Sequence, residues 1–131
     1  MTKTKKAYIP AKIELEGLLS ITKEDSIQRW AMLHFSYFAG LRSMEIASLS
    51  IEDIFQGNEL KGMAQLPTKG GGTRRITLVD KKLRSAISTF YEVQNLSAKP
   101  MTAPLFTNPS GGRFTANAVV KQFVKTVSYT H

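Results

Sequence analysis

Apolar residues in the first third of the chain recur at helical steps. Pro10 opens a helix whose short apolar face is Ile13, Leu15, Leu18 and Leu19. Thr22 followed by Asp25 reads as an N-cap pair for the next helix. In that helix Ile27, Trp30, Ala31, His34, Tyr37, Phe38 and Leu41 return every three or four residues. Trp30, Tyr37 and Phe38 are expected in the core, and His34 as a half-buried packing residue rather than a ligand. Gly40 is placed to stop the helix, and Ser43 to cap a short one whose Ile46, Ala47 and Leu49 face inward.

The period then changes. Ile54-Phe55, a turn at Gln56-Gly57-Asn58, the run Leu60 to Leu66, a second turn at Gly70-Gly71-Gly72, and Arg75 to Val79 read as two or three short antiparallel strands. Asp80 is a cap for a further helix with Leu83, Ile87, Phe90, Tyr91 and Leu96 as its buried stripe. Residues 97–113 are loop-like around a Leu105-Phe106 anchor, and Thr115 opens a last helix through Val119, Val120, Phe123 and Val124. The expected fold class is α+β and mostly helical, with helices around a small two- to three-stranded antiparallel sheet. No internal repeat or linker divides the chain, and its 131 residues suit one domain.

The charge pattern narrows the partner. The net charge is +8, and it is unevenly spread. Between Lys61 and Arg84 lie seven basic residues (Lys61, Lys69, Arg74, Arg75, Lys81, Lys82, Arg84) and one acid, Asp80, a net +6. Lys3, Lys5, Lys6 and Lys12 form a smaller cluster. Such a stretch suits a polyanion, against the plainer alternative of a solvated lysine-rich surface. The absence of cysteine excludes disulfides and thiolate metal sites. No apolar run reaches the roughly 20 residues of a membrane span, and Met1 to Ala7 is charged with no apolar stretch after it, unlike a signal peptide. A cytoplasmic protein is the expectation. Gly70-Gly71-Gly72-Thr73 lacks the frame of a nucleotide-binding phosphate loop, so no nucleotide is expected, and no acid or histidine spacing suggests a metal.

The residues richest in chemistry are Gly40-Leu41-Arg42, Glu45, Leu49, Asp53 and Ile54. A guanidinium grips two phosphate oxygens through a planar fork and stabilises charge that builds up on them. A position at a helix start adds free N–H groups for the same anion. Glu45, one turn on, would orient Arg42 or neutralise it; alternatively the two form only a surface ion pair. The segment resembles the Gly-Leu-Arg-x-x-Glu-x-x-x-Leu-x-x-x-Asp-Ile signature of the tyrosine recombinases, the phage-integrase family of DNA strand-exchange enzymes. Pro104-Leu105-Phe106 with Gly111-Gly112 after it is similar to a loop of the same family. The likeness runs from about Tyr8 to about Thr126 and corresponds to the first half of the family's catalytic domain.

That resemblance implies roles. Arg42 would stabilise the transition state of phosphodiester cleavage with Glu45 in support. Lys69, in the hairpin turn, would be the general acid for the 5′-oxygen leaving group, its amine made more acidic by cationic neighbours. Arg74 and Arg75 follow each other on a strand and point to opposite faces, one to a phosphate and the other to solvent or an acid. Lys61 joins the expected contacts to double-stranded DNA, as do Lys3, Lys5 and Lys6 on a basic arm over residues 1–9, unless that arm is a plain tail. No metal or nucleotide cofactor is implied, and the whole enzyme would act as a homotetramer on DNA.

The family's remaining catalytic groups, a His-x-x-Arg motif, a later His or Trp and the tyrosine nucleophile, have no counterpart here. Where that motif would begin the chain reads Val127-Ser128-Tyr129-Thr130-His131, similar to translated adapter sequence and expected to be a non-native tail. The expected organisation is therefore an arm over 1–9, a partial catalytic domain over 10–126, and the tail over 127–131. A truncated recombinase, inactive alone, is the leading expectation. A non-catalytic DNA-binding regulator or dominant inhibitor of the same fold is the alternative, ahead of an RNA-associated protein.

Overall fold

The computed structural model describes residues 12–68 and 70–128. Two helices open it, α1 (Lys12–Asp25) and α2 (Ile27–Ala39). The break between them falls at Ser26, not at Thr22 as the cap pattern suggested. Ser26 is extended, with φ −156°, and its Oγ accepts the N–H of Arg29 at 3.1 Å. The Thr22 hydroxyl instead donates to the Leu18 carbonyl at 2.7 Å inside α1. A threonine bonded back along its own helix has no cap to offer.

α2 buries Trp30, Ala31, Met32, His34 and Phe35. His34 is more deeply buried than expected. Its ring lies edge-on to Trp30 and stacked on Phe38, and its Nδ1 is 2.8 Å from the Trp30 carbonyl. A carbonyl only accepts, so Nδ1 carries the proton, and burial lowers the ring's pKa. Tyr37 is 45% exposed rather than in the core, at the rim of a groove shared with Leu15 and Leu19 of α1. Gly40 ends α2 with φ +70°, and its N–H and that of Leu41 both reach the Phe35 carbonyl. This left-handed turn redirects the chain into the next helix.

Short elements follow: α3 (Ser43–Ser48), α4 (Ile51–Ile54), β1 (Phe55–Gln56), β2 (Glu59–Leu60), β3 (Met63–Pro67) and β4 (Thr73–Thr77). The strands form two separate antiparallel ribbons, β1 with β2 and β3 with β4. In the longer ribbon Met63 faces Thr77 and Pro67 faces Thr73. Ala64, Leu66 and Ile76 point into the core while Met63, Gln65, Arg75 and Thr77 point out. α5 (Lys81–Val93) starts at Asp80, whose Oδ1 accepts the N–H of Leu83 at 2.9 Å. A 3₁₀ turn at Leu96–Ala98 and α6 (Ala116–Ser128) complete the fold.

α2 packs on α1 and α5, and α3 on α6. Phe106 brings the long loop into this core, with ring centroids 5.9 Å from Phe35 and 5.2 Å from Phe90. Backbone bonds dock the loop on the α3–α4 link, from Leu105 N–H to the Leu49 carbonyl at 2.9 Å and from Ile51 N–H to the Ala103 carbonyl at 3.0 Å. The Gln28 side chain clamps both main-chain polar groups of Thr107 at 2.9 Å. In α6 Thr115 Oγ1 caps Ala118 N–H at 3.1 Å, and Val119 is fully buried. Val120 and Val124 are 44% and 62% exposed, so the apolar stripe expected for α6 is buried only along one edge. Among the described residues no helix is long and apolar enough to cross a membrane.

Candidate functional site

Arg42 is the N-cap of α3, extended with φ −83° and ψ 161°, and Ser43 is the first helical residue rather than the cap. An arginine side chain has no acceptor, so it cannot bond the first-turn N–H groups as serine would. Only the carboxylate half of a capping box forms: Glu45 Oε1 accepts the main-chain N–H of Arg42 at 2.9 Å. This bond fixes where the Arg42 side chain leaves the backbone. α3 has six residues, too few for a strong helix dipole, so the charge at this point is that of the guanidinium itself.

Glu45 is buried, with 3% of its surface exposed. Its side-chain partner is Arg74, 29 residues away in β4, and not Arg42. Arg74 Nε donates to Oε2 at 2.9 Å, and Nη2 donates to Oε1 at 3.1 Å and to the Gly40 carbonyl at 2.9 Å. The hydrogen bonds from Arg74 hold the Glu45 pKa below its ordinary value against the opposing effect of burial, with the Arg42 N–H helping. Arg74 is correspondingly raised by Glu45. Such a two-point pair ties the β3–β4 ribbon to the turn ahead of α3.

The consequence for Arg42 is direct. Its neighbouring carboxylate is already occupied, and the exposed Arg42 side chain makes no hydrogen bond or ion pair with the other described residues. Through space the two charges still favour each other, which also lowers the Glu45 pKa. The arrangement is a cation on a fixed backbone position, with its fork of donors open to solvent.

The ribbon separates the two consecutive arginines as strand geometry requires. Arg74 turns inward to Glu45, and Arg75, opposite Gln65, is exposed on the outer face. Lys69 lies outside the described residues. Its neighbours Thr68 and Gly70 belong to a turn in which Thr68 N–H donates to the Gly72 carbonyl at 2.9 Å and Gly70 has φ +107°. Lys61 precedes the opposite end of the ribbon, beyond a strand length of about 13 Å from that turn. Its carbonyl accepts from Arg84 at 2.9 Å. Lys3, Lys5 and Lys6, with the basic arm, and Tyr129 to His131 of the tail also lie outside the described residues.

Two further arginines have structural partners that spacing did not reveal. Arg84 donates to the carbonyls of Leu78 and Lys61 at 2.6 and 2.9 Å, riveting α5 to both chain segments at the open end of the longer ribbon. Arg113 reaches back to the end of α3, donating to the Leu49 carbonyl and to Ser50 Oγ, each at 2.9 Å. Apart from Ser50 Oγ, their partners are main-chain oxygens, which carry no sequence signal.

Comparison with known proteins places this geometry in context. The model of the phage integrase family matches residues 11–130. The chain is 34% identical over 91 residues to the tyrosine recombinase XerC of Pelobacter propionicus, covering 70% of this chain and 28% of that protein. It is 29% identical over 112 residues to XerC of Proteus mirabilis, covering 84% of this chain and 35% of that protein. Among solved structures, XerA recombinase superposes with a TM-score of 0.70 at 16% identity, over 93% of this chain and 44% of that one. The Tn1549 transposon integrase in complex with circular intermediate DNA superposes with a TM-score of 0.60 at 20% identity, over 100% of this chain and 48% of that one. The structural likenesses show a shared fold, and the family match covers nearly the whole sequence. The chain belongs to the phage integrase family, the tyrosine recombinases.

Proposed function

We propose that this chain supplies the phosphate-gripping part of a site-specific recombinase that cuts and rejoins double-stranded DNA. The observation that carries the reading is the open guanidinium of Arg42, left free because Glu45 is engaged by Arg74 and by the Arg42 main chain. A phosphodiester presented there meets a planar pair of donors from a base that cannot swing far, and extra charge on its oxygens during cleavage is stabilised. Glu45 supports Arg42 from the backbone side. Lys69, which follows Thr68 in the sequence, acts as general acid to the leaving oxygen. Arg75 and Lys61 add phosphate contacts, as do Lys3, Lys5 and Lys6. These contacts contribute affinity and register, not base readout.

The nucleophile and the remaining catalytic groups are supplied from outside the residues matched here, in a cytoplasmic homotetramer on DNA. Wherever strand cleavage is assembled around this segment, Arg42→Ala should slow formation of the covalent protein–DNA adduct by about 100- to 1000-fold. Adduct formation at the unsubstituted rate would overturn the assignment.

A second reading keeps the same basic surface without cleavage: a DNA-binding regulator or dominant inhibitor. What favours it is that Arg42, Glu45 and Arg74 are already organised in this chain alone. Inhibition of a full recombinase by added chain, lost in Arg42→Ala, distinguishes this role from that of a passive segment.

A further inference from the structure

We propose that Arg113 is a positioning residue for Arg42, acting from the far end of the helix that Arg42 caps; this rests on the phosphate-binding reading above. α3 is only six residues long, so intrahelical bonds do little to hold it and its placement depends on what grips its ends. Its first end is held by the Glu45 and Arg74 arrangement. At its last end the helix carbonyls have no following turn, since the chain becomes extended at Leu49. Arg113 meets them there. Nη1 donates to the Leu49 carbonyl at 2.9 Å and to that of Ala47 at 3.4 Å, and Nη2 donates to Ser50 Oγ at 2.9 Å. Ser50 is in turn the N-cap of α4, so one guanidinium joins the end of one helix to the start of the next.

The loop that presents Arg113 is itself built to hold still. Asn108 Oδ1 accepts the N–H groups of Ser110 and Gly112 at 2.9 and 3.0 Å, closing the turn that returns to Arg113. Thr107, bridged to Arg113 across that turn, is clamped by Gln28 of α2. The path from α2 through Gln28, Thr107 and Arg113 to α3 is therefore a second brace, independent of the one through β4. Removing it takes the Arg113 donors from the Ala47 carbonyl and Ser50 Oγ, leaves the Leu49 carbonyl with the Leu105 N–H alone, and lets the helix shift along its axis. Arg42, fixed to the first turn by the Glu45 bond, shifts with it.

The test is a salt titration of duplex-DNA affinity for wild type, Arg42→Ala, Arg113→Ala, Arg113→Lys and the double variant, with thermal melting of each. Expected is a salt slope shallower by about one unit in Arg42→Ala, a similar loss in Arg113→Ala, and no further change when the two are combined. Arg113→Lys, which keeps a cationic donor for the Leu49 carbonyl, should recover part of the slope. Additive losses would make Arg113 a separate phosphate contact and overturn the proposal. So would an Arg113→Ala chain that melts lower but binds with an unchanged slope. If Arg42→Ala binds like wild type, or if the well-folded wild type binds no DNA, the phosphate reading itself falls and takes this proposal with it. A defect in Arg42→Ala alone removes only the role of Arg113.

Discussion

Glu45 is buried yet stays ionised because three N–H groups converge on its two oxygens, one from the Arg42 backbone and two from Arg74. Burial alone would raise its pKa; the hydrogen bonds outweigh it and lower the pKa from the ordinary 4.5. A depressed folded-state pKa means that the ionised group stabilises the fold above the unfolded value. That stability is lost as pH falls through the folded value. Arg74 is a third exposed, which screens the pair. Glu45→Gln should therefore cost about 1–3 kcal/mol at neutral pH, measured by urea unfolding, and the gap from wild type should close below pH 4.5. A gap of constant size across that range would show that the carboxylate charge contributes nothing. Arg42 and Glu45 were visible in the sequence as a pair one turn apart. Their actual relation was not, because the carboxylate's partner lies 29 residues further on and is reached only after the ribbon folds back.

At the scale of elements, capping and periodicity were legible where a single local interaction decides them. Asp80 caps α5 as its spacing indicated, and Gly40 ends α2 through its positive φ. The Thr22 cap failed because a hydroxyl inside a helix has a competing carbonyl four residues back, and the competition is invisible to a pattern. The α6 stripe failed for a different reason. Val119 and Val120 are equally apolar, but the described residues pack against one edge of that helix, leaving Val120 and Val124 exposed. The loop anchor was read correctly: Leu105 and Phe106 are each 2% exposed. Because Phe106 fills the space between α2 and α5, Phe106→Ala should cost about 3–5 kcal/mol, a large share of a stability of about 5–15 kcal/mol. Chemical denaturation would show a much lower midpoint, whereas a loss under 1 kcal/mol would mean that the loop only rests on the core.

For the whole molecule, the count of 18 lysines and arginines overstates the cations free to meet a polyanion. Arg74 is neutralised by Glu45, and the donors of Arg84 and Arg113 are spent on carbonyl and hydroxyl oxygens. The charges of Arg84 and Arg113 still add to the long-range field, but these side chains cannot fork a phosphate without releasing the main chain. Arg42 and Arg75 remain exposed near or on the same ribbon, with Lys81 exposed at the start of α5 and Lys82, also exposed, 3.9 Å from Glu16. Composition suggests a polyanionic partner, while the division between exposed and bracing arginines needed the fold. Under the proposed function, Arg42 is a phosphate ligand whose backbone position is held by groups that do not themselves touch the phosphate. The direct measurement is the affinity of this chain for duplex DNA across salt concentrations, wild type beside Arg42→Ala, with melting temperatures for both. Expected are equal melting temperatures, weaker binding by the variant, and a log–log salt slope shallower by about one unit. Equal affinity and equal slope would contradict it, because the guanidinium left open by Glu45 would then be in contact with nothing.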